Sequence, residues 1–515
     1  MEEINKIKEQ NLLAKITNIY VFVMVVLFPL CVDSTGFFKI LECKYSYFLG
    51  INVIYIFTII VILMYFKMFR NTNFFKHFKL SNIQKVAIVF LVVNVISTLL
   101  SPFLKKYNLF VGVGRAEGLI TITLYILSFL NISLFGKFEK KYILYFSISS
   151  LMVNIISILQ YIGFNPLNMY QDGIGTHNVS FIGTIGNVDF VSAYYTIVLT
   201  ISMAAFIFIN DDKKYIKYIH LASVYTGFFI FEVLDVRSGT LAFGVILAIV
   251  LPFIVTNSKR FAKLLIITAA ILLGYATNIV LNPVFHYSLG KIVLEMQFPL
   301  IAIILNVCIL SFLILAYILY KRDFDFSNYK KMVKLYYIVL AILILSFVAV
   351  LYFVDFDLGF LHEIHEILHG NFNDEFGTYR LFLWKRSIKL INDYPLLGTG
   401  DDTFAVRFMT KYASDVADLG ELTINDTAAN VYLTMLVNIG IVGLLLYLVF
   451  ISLQIKNSFK NLNKETTVLL IAFVCYLIQD LFNLWVVVVT PIFWILMAIL
   501  YISCNKESKS IKEVL

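Results

Sequence analysis

The chain of 515 residues is strongly apolar: 60% of its residues are hydrophobic, only 14% are charged, and its mean hydropathy is +0.85. A soluble domain carries about a quarter charged residues, so the composition excludes a soluble globular protein. The net charge is +8 without a basic block interleaved with aromatic residues, which argues against a nucleic-acid partner. The five cysteines show neither a disulfide framework nor a C-x-x-C metal spacing.

Apolar runs of about 20 residues recur along the whole length, and each is long enough to cross a bilayer as a helix. The sequence therefore predicts an all-α polytopic membrane protein with about fourteen transmembrane helices. These runs lie near residues 16–32, 47–66, 86–104, 118–136, 142–163, 188–210, 218–234, 239–256, 264–281, 298–320, 335–354, 428–452, 466–486 and 488–504. The first run has no small-residue cleavage site after it, so we interpret it as a retained helix rather than a signal peptide. The last two runs adjoin at Val487, which leaves thirteen spans and a re-entrant segment as an alternative.

The loops between these runs differ in charge from one side to the other. One side holds 28 of the 41 lysines and arginines, and the other side holds 13. Cytoplasmic loops carry the excess of positive charge, so both termini are predicted to be cytoplasmic. The long polar interval between the eleventh and twelfth spans then becomes an extracytoplasmic helical loop. The predicted organisation is a bundle of eleven spans at 1–354, this loop at 355–427, and three C-terminal spans with a cytoplasmic tail at 428–515.

Arginines are not distributed between the two sides of the membrane in the way that lysines are. The outer side holds 8 of the 33 lysines but five of the eight arginines, where the lysine ratio would place about two. A guanidinium is a planar fork that binds phosphate through parallel hydrogen bonds, so the excess indicates an anionic ligand outside. Arg237 and Arg380 are the leading candidates, and Arg407 is expected to be a surface ion-pair partner. The five outer arginines are Arg115, Arg237, Arg380, Arg386 and Arg407.

Two glycine-containing motifs precede outer ends of spans. The glycines of Gly112-Val-Gly-Arg115-Ala-Glu-Gly118 allow the backbone to approach a ligand or a helix closely. Gly183-Thr-Ile-Gly-Asn187, followed by Asp189, opens the sixth span. Free N–H groups there predict either an anion site or an ordinary helix cap. His177 and Asn178 lie in the same loop.

Two further outer segments carry candidate residues. Asp235-Val-Arg237 is a very short connection, so Arg237 lies at the membrane surface, where an ionisable group is a functional candidate. In the long loop, the apolar spacing predicts an amphipathic helix at 374–392, a turn at Pro395 to Gly400, and a second short helix at 403–412. Such a helix pair forms either a lid over a ligand or a packed cap without ligand contact.

The loop also contains His365-Glu-Ile-Leu-His369, which matches the zinc-peptidase pattern H-E-x-x-H. A third ligand is missing, since Glu375 is too close in sequence. The apolar residues Leu361, Ile364 and Leu368 indicate a surface helix with a polar outer face. A membrane zinc peptidase is therefore the less favoured alternative.

The order of these motifs around one outward loop resembles the O-antigen ligase and O-antigen polymerase family over about residues 183–445. The resemblance rests on Gly183-Thr-Ile-Gly-Asn187, Arg237-Ser-Gly, Arg380-x-x-x-Trp384, Asp393-x-Pro395-Leu-Leu-Gly398-x-Gly400, and Asn430-x-x-Leu433 with Gly440-x-x-Gly443. It implies a GT-C-type glycosyltransferase in the bacterial cytoplasmic (inner) membrane. Such enzymes move a glycan from a polyprenyl diphosphate, such as undecaprenyl diphosphate, to a sugar hydroxyl on the outer face.

The resemblance also implies roles for particular residues. No metal or other cofactor is expected, because arginines hold the diphosphate leaving group, whose charge grows as the C–O bond breaks. Arg237 and Arg380 are carried over as catalytic diphosphate binders. Substrate binding is expected of Arg115, Arg386, Asn187 and Asn430.

The chain departs from the family at one position. Many members carry His-Asn where this chain has Ala429-Asn430, and that histidine is implied to activate the acceptor hydroxyl or contact the phosphate. Alanine does neither. Either this branch works differently or a histidine has been replaced, which would disable turnover; the intact surrounding pattern favours replacement. If the alanine is natural, His177, His365 or Asp426 become candidates for that role.

The expected function is therefore surface polysaccharide polymerase, favoured over a ligase because nothing in the chain indicates an outer-membrane lipid acceptor. The expected partners are a polyprenyl-diphosphate-linked donor, an acceptor glycan, membrane lipid and, as a further candidate, a chain-length regulator. The alternative is a lipid-linked oligosaccharide flippase or other transporter. Its usual internal repeats are not visible, and Glu232 and Asp480 are the visible charges within the spans.

Overall fold

A computed structural model describes residues 2–34, 36–37, 39–70, 79–169, 183–210, 213–234, 237–285, 298–322, 329–356, 359–417 and 426–505. The regular elements in these ranges are helical, because apolar runs in a bilayer must pair their backbone groups internally. The helices are α1 (Glu2–Phe22), α2 (Ile40–Arg70), α3 (Asn82–Leu99), α4 (Leu119–Phe135), α5 (Lys141–Tyr161), α6 (Val188–Phe208), α7 (Lys214–Leu234), α8 (Arg237–Val255), α9 (Ser258–Phe285), α10 (Phe298–Lys321), α11 (Tyr329–Phe353), α12 (Gly359–Leu368), α13 (Arg380–Ile391), α14 (Phe404–Ala417), α15 (Val431–Lys460), α16 (Lys464–Gln479) and α17 (Thr490–Cys504). Short π and 3-10 turns extend α1 as far as Leu30, and a 3-10 turn, Asp480–Phe482, follows α16.

Each of the fourteen predicted spans coincides with one of these helices. Within the described ranges, eleven helices are long and apolar enough to cross a membrane: α1, α2, α3, α5, α6, α8, α9, α10, α11, α15 and α16. The helices α4 and α17 are apolar but shorter. The helix α7 has 21 residues but carries Lys214, Lys217, His220 and Glu232. The all-helical membrane fold is confirmed, and the number fourteen stays a prediction.

The helices α6 and α17 lie at the centre of the bundle. All 15 residues of α17 are buried, where it packs against α4, α15 and α16. The helix α6 packs against α5, α7 and α16. By contrast, α10 and α11 expose most of their apolar side chains, and in a bilayer such a surface faces lipid.

The helix α15 is broken at Gly440, and the turn from Pro395 to Gly400 is inserted into the break. Gly440 has φ 67° and ψ −174°. The freed backbone groups are satisfied by the turn: the carbonyl of Asn438 accepts from the N–H groups of Thr399 and Gly400 at 2.8 and 2.9 Å, and the N–H of Ile441 donates to Pro395 at 2.9 Å. The motifs Pro395–Gly400 and Gly440–Gly443 therefore form one structural joint between the long loop and the bundle.

The helices α13 and α14 pack onto α15 through an apolar cluster of Phe382, Leu383, Leu390, Phe404, Phe408, Ala428 and Val437. The helix predicted at 374–392 begins later, at Arg380, because Gly377, Thr378 and Tyr379 have left-handed φ angles of 64°, 55° and 65°. The second predicted helix extends further, to Ala417, with a non-helical residue at Tyr412.

Candidate active site

The glycine motif before α4 folds around the carboxylate of Asp402. The backbone N–H groups of Gly114 and Arg115 donate to Asp402 Oδ2 at 3.0 and 2.9 Å, and that of Glu117 donates at 3.4 Å. Gly112 has φ 110°, and a Cβ there would overlap the same oxygen. The close approach predicted for these glycines is thus made to a carboxylate of the long loop. Burial raises the pKa of Asp402, and the three N–H donors oppose that shift.

This folding directs the side chain of Arg115 towards Asp426. Arg115 donates from Nε to Oδ2 at 2.6 Å and from Nη2 to Oδ1 at 3.2 Å, so the ion pair is bidentate. The guanidinium also lies 5.5 Å from the centre of the Phe190 ring. Arg115 therefore has its charge largely satisfied within the protein.

The guanidinium of Arg380 is held differently. It donates to the carbonyl of Gly377 at 3.3 Å, the hydroxyl of Thr378 at 3.2 Å and the carbonyl of Phe482 at 3.4 Å, all weak neutral contacts. Its Nε is buried and has no hydrogen-bond partner. In the described part of the chain, no carboxylate forms an ion pair with it. A left-handed β-branched residue such as Thr378 is strained by about 1–3 kcal/mol, and this strained turn sets the start of α13 and the position of Arg380.

Four of the predicted site residues line one cavity of about 220 Å³: Arg115, Asn187, Arg380 and Ala429. Asp189 and Asp426 line it too. Asn187 also caps α6, since its Oδ1 accepts the N–H of Asp189 at 2.8 Å. With Leu484, the lining residues come from five distant parts of the sequence.

A larger cavity of about 880 Å³ adjoins the first one. Asp189, Thr378 and Arg380 line both. The rest of the larger cavity's lining is mainly apolar and comes from α6 to α9 and α12, including Phe231, Leu234, Leu241, Tyr275 and Phe360. Glu232, predicted as a charge within a span, and Glu363 are its other carboxylates.

Arg237 begins α8, but its side chain lies outside the described structure, as do Asp235, His177 and Asn178. The residues that follow Arg237 in the first turn of α8 line the larger cavity, namely Ser238, Thr240 and Leu241. The backbone of Arg237 is therefore next to the cavity that contains Arg380.

Two other predicted site residues do not line these cavities. Arg386 donates from Nε to Asp415 and from Nη1 to Asp374, both at 2.8 Å, and stacks 3.6 Å from the Phe382 ring. Burial would lower the pKa of Arg386, but the hydrogen bonds to these two carboxylates raise it. Asn430 caps α15 by accepting the N–H of Leu433 at 2.9 Å. Both side chains are used within the fold.

Arg407 is not the surface ion-pair partner that the sequence suggested. Its side chain is buried and donates to the carbonyl oxygens of Val437 and Leu390. It therefore links α14 to α15 and to the end of α13.

Position 429 has a backbone conformation that suits the expected histidine. Ala429 has φ 48°, in the left-handed region, where histidine, asparagine and aspartate are enriched over other residues. The preceding carbonyl, of Ala428, accepts a hydrogen bond from Trp384 Nε1 at 2.9 Å. Because Ala429 lines the smaller cavity, a longer side chain at this position would enter the space beside Arg115 and Arg380.

In the described structure, the histidines in and directly after α12 are not arranged as the zinc site of the less favoured alternative. Nδ1 of His365 lies 2.7 Å from the carbonyl oxygen of Leu351, and the ring centres of His365 and His369 are 4.3 Å apart, with the rings tilted by 40°. Nδ1 of His362 lies 2.8 Å from Asp355. Among the side chains that the structure describes, no three His, Cys, Asp or Glu residues are arranged to hold a metal ion.

The sequence motifs gave no role to Asp401 and Asp402, and they named Asp189 only as the residue that follows the Asn187 motif. Asp401 and Asp402 are two adjacent buried acids in the segment between α13 and α14. Asp189 is an acid in the first turn of an apolar span. A search for acidic residues at outer ends of spans would have marked Asp189, but not Asp401 and Asp402, which lie between α13 and α14.

The family described as O-Antigen ligase matches residues 299–448 of this chain. The matched segment runs from α10 into α15 and contains Arg380, Ala429 and Asn430, while Arg115, Asn187 and Arg237 precede it. The match confirms the family resemblance inferred from the motifs. No curated protein sequence matches the chain.

Proposed function

We propose that the protein transfers a glycan from a polyprenyl diphosphate carrier to a sugar hydroxyl of an acceptor glycan on the outer face of the bacterial cytoplasmic membrane. The observation that carries this proposal is Arg380. It is a guanidinium with a buried, unpartnered Nε and no ion pair among the described carboxylates. It also lies where two cavities meet.

The chemistry of the donor fits this position. Negative charge grows on the diphosphate as its bond to the sugar breaks, and a preorganised cation in a water-poor site stabilises that charge strongly. Arg380 supplies a fork that binds phosphate oxygens in pairs. Arg237 is the second proposed diphosphate binder, because its helix begins at the larger cavity. This pair takes the role that a divalent ion has in other glycosyl transfer reactions, so the reaction is proposed to need no metal.

The two cavities suggest separate places for the two substrates. The larger, mainly apolar cavity of 880 Å³ suits the first units of the polyprenyl chain, with the diphosphate at Arg380. The smaller cavity of 220 Å³ is lined mainly by polar and charged residues and suits sugar hydroxyls. Arg115 is held by Asp426 and is proposed to contact the acceptor or the transferred sugar rather than to carry the leaving group.

Polymerase activity, in which the acceptor is a second carrier-linked unit, is proposed over ligase activity. No motif of the sequence indicates an outer-membrane lipid acceptor. Both termini are proposed to be cytoplasmic and the site extracytoplasmic, in keeping with the lysine-rich loops on the opposite side. A chain-length regulator is a proposed partner.

The test is to incubate the purified protein in detergent with a lipid-linked repeat unit and excess EDTA. Transfer is expected to give longer lipid-linked oligosaccharides. Detergent removes the two sides of the membrane, so a flippase would leave the substrate unchanged. Unchanged substrate with this chain and with Ala429→His would contradict the proposed function.

Ala429→His is expected to raise turnover by about tenfold or more, because a positioned imidazole accepts the acceptor proton and general-base catalysis contributes about 10²–10⁴-fold. Ala429→Asn is the matched control, since asparagine tolerates the left-handed backbone but does not accept a proton at neutral pH. An equal gain with asparagine would show that the effect is conformational and would contradict the role assigned to histidine at this position.

A further inference from the structure

Asp189 lies where the two cavities meet, beside the guanidinium that is proposed to hold the leaving group. Together with Thr378 and Arg380, it lines both the 880 Å³ and the 220 Å³ cavities. With the substrates placed as in the proposed function, a group at this junction would face both the donor's anomeric carbon and an acceptor hydroxyl in the smaller cavity.

The backbone of Asp189 is fixed on both sides. Its N–H donates to Asn187 Oδ1 at 2.8 Å, and its carbonyl accepts from Asn483 Nδ2 at 2.9 Å. The neighbouring carbonyl of Phe482 accepts from Arg380. Residues 482–483 therefore contact both Asp189 and Arg380 and fix their positions relative to each other. Catalytic groups that act on the same substrate require such preorganisation.

The carboxylate of Asp189 is available for chemistry, in contrast to the other carboxylate of the smaller cavity. Asp426 has both oxygens bound by Arg115. Within the described residues, no hydrogen bond or ion pair reaches either carboxylate oxygen of Asp189. The residue is the second of α6, where the N-terminal end of the helix stabilises a negative charge. Among the described residues, Asp189 is therefore a carboxyl group of the cavity that has no hydrogen-bond or ion-pair partner.

We propose that Asp189 is the general base of this chain, a role that rests on the proposed function. Its carboxylate takes the proton of the acceptor hydroxyl as that oxygen bonds to the donor's anomeric carbon. The bond between this carbon and the diphosphate oxygen breaks, and its electron pair stays on the diphosphate beside Arg380. The proton on Asp189 then passes to the departing diphosphate or to water, which restores the carboxylate. This role gives the chain a proton acceptor in the cavity although position 429 is alanine.

The test compares Asp189→Asn in two backgrounds, the chain as it stands and Ala429→His, with Asp393→Asn as the matched control. Asp393 forms an exposed pair with Lys411 outside the cavities. In the chain as it stands, Asp189→Asn is expected to lower kcat by about 10²–10³-fold, while binding of the lipid-linked donor changes by less than about threefold. In the Ala429→His background the loss is expected to be less than about tenfold, because the imidazole replaces the carboxylate as proton acceptor. Asp393→Asn is expected to leave both quantities unchanged.

Three results would overturn the role of Asp189. In the first, Asp189→Asn lowers kcat equally in both backgrounds. In the second, Asp189→Asn weakens donor binding enough to account for the loss of rate. In the third, Ala429→His is active while the chain as it stands is inactive. The last result would leave glycan transfer supported and assign the proton to histidine alone. Absence of transfer in both backgrounds would instead contradict the proposed function itself.

Discussion

Arg380 and Arg386 lie two turns or less apart on the same helix, yet they meet different surroundings. Arg386 is bound by Asp374 and Asp415 and stacks on Phe382. Burial alone would raise the pKa of Asp374, but hydrogen bonds from Lys385 and Arg386 lower it. Arg380 has no such partners in the described structure. An outer arginine therefore indicates an anionic ligand only when no carboxylate of the protein forms an ion pair with it.

Glu117 is a buried acid that should make stability depend on pH. It lines a small cavity of about 60 Å³ together with Asn94 and Asp401, and Tyr125 donates to its Oε1 at 2.7 Å. Burial raises its pKa well above 4.5, although the Tyr125 hydrogen bond opposes the shift, and Asp402 adds to it. The folded protein thus holds a proton that the unfolded chain releases. Stability is fully present below the ordinary pKa and falls as pH rises above it.

Glu117→Gln is expected to weaken the decrease in stability with rising pH. The amide oxygen keeps the bond from Tyr125, and the group no longer titrates. Thermal unfolding from about pH 5 to about pH 8 should show a steeper loss of stability in the unmodified protein, by at most about 1.4 kcal/mol per pH unit for one proton. Parallel pH profiles for the two proteins would contradict the assignment of a buried, protonated Glu117.

The sequence predicted some site residues and not others for a physical reason. Arg380 was predicted because positive charge is avoided on the outer side, so its presence there is itself a signal. Asp402 was not predicted as a site residue, because it contacts Arg115, which lies 287 residues away in the sequence. Asp189 looked like helix capping, and only the cavities show that its carboxylate faces the same space as Arg380.

At the scale of elements, the joint between the long loop and α15 depends on two glycines. Gly398 has φ 63°, and a Cβ there would overlap the backbone of Asn438; Gly440 has φ 67°, and its Cβ would overlap the backbone of Leu396. Gly398→Ala and Gly440→Ala are each expected to lower the free energy of unfolding by at least about 2 kcal/mol, because left-handed strain adds to the steric overlap. Thermal unfolding in detergent measures this loss.

Gly244→Ala is the matched control for these two substitutions. Gly244 lies within α8 and has no atom within 4 Å of a Cβ at that position. Alanine is favoured over glycine in a helix by about 1 kcal/mol, so this variant should be as stable as the unmodified protein or more so. If Gly398→Ala and Gly440→Ala unfold at the same temperature as Gly244→Ala, the loop is not anchored in the break of α15.

Elements were predictable where their cause is local. A run of about 20 apolar residues must form a helix in a bilayer, so each predicted span coincides with a helix. The start of α13 was not predictable, because residues 374–379 fit the apolar period but take left-handed angles at Gly377, Thr378 and Tyr379. That turn is stabilised by distant contacts, such as the Gly377 N–H donating to Glu363 Oε2 at 3.0 Å.

For the whole molecule, the lysine asymmetry predicts the orientation in the membrane. A green fluorescent protein fused after Leu515 is expected to fluoresce, because it folds in the cytoplasm. Alkaline phosphatase fused after Asn373 is expected to be active, because it folds outside. The opposite pair of results would place the cavities on the cytoplasmic side and contradict the proposed access of an outer-face donor.

Arg380 is proposed to bind the diphosphate of a lipid carrier without a metal ion. The most direct measurement is the equilibrium binding of polyprenyl diphosphate to the purified protein in EDTA, with Arg380→Ala compared against Arg386→Ala on the same helix. We expect binding to persist in EDTA, to weaken about tenfold or more in Arg380→Ala, as expected for loss of a charge-assisted pair, and to stay within about threefold in Arg386→Ala. Binding that requires a divalent ion, or that is equal in Arg380→Ala and the unmodified protein, would contradict the claim.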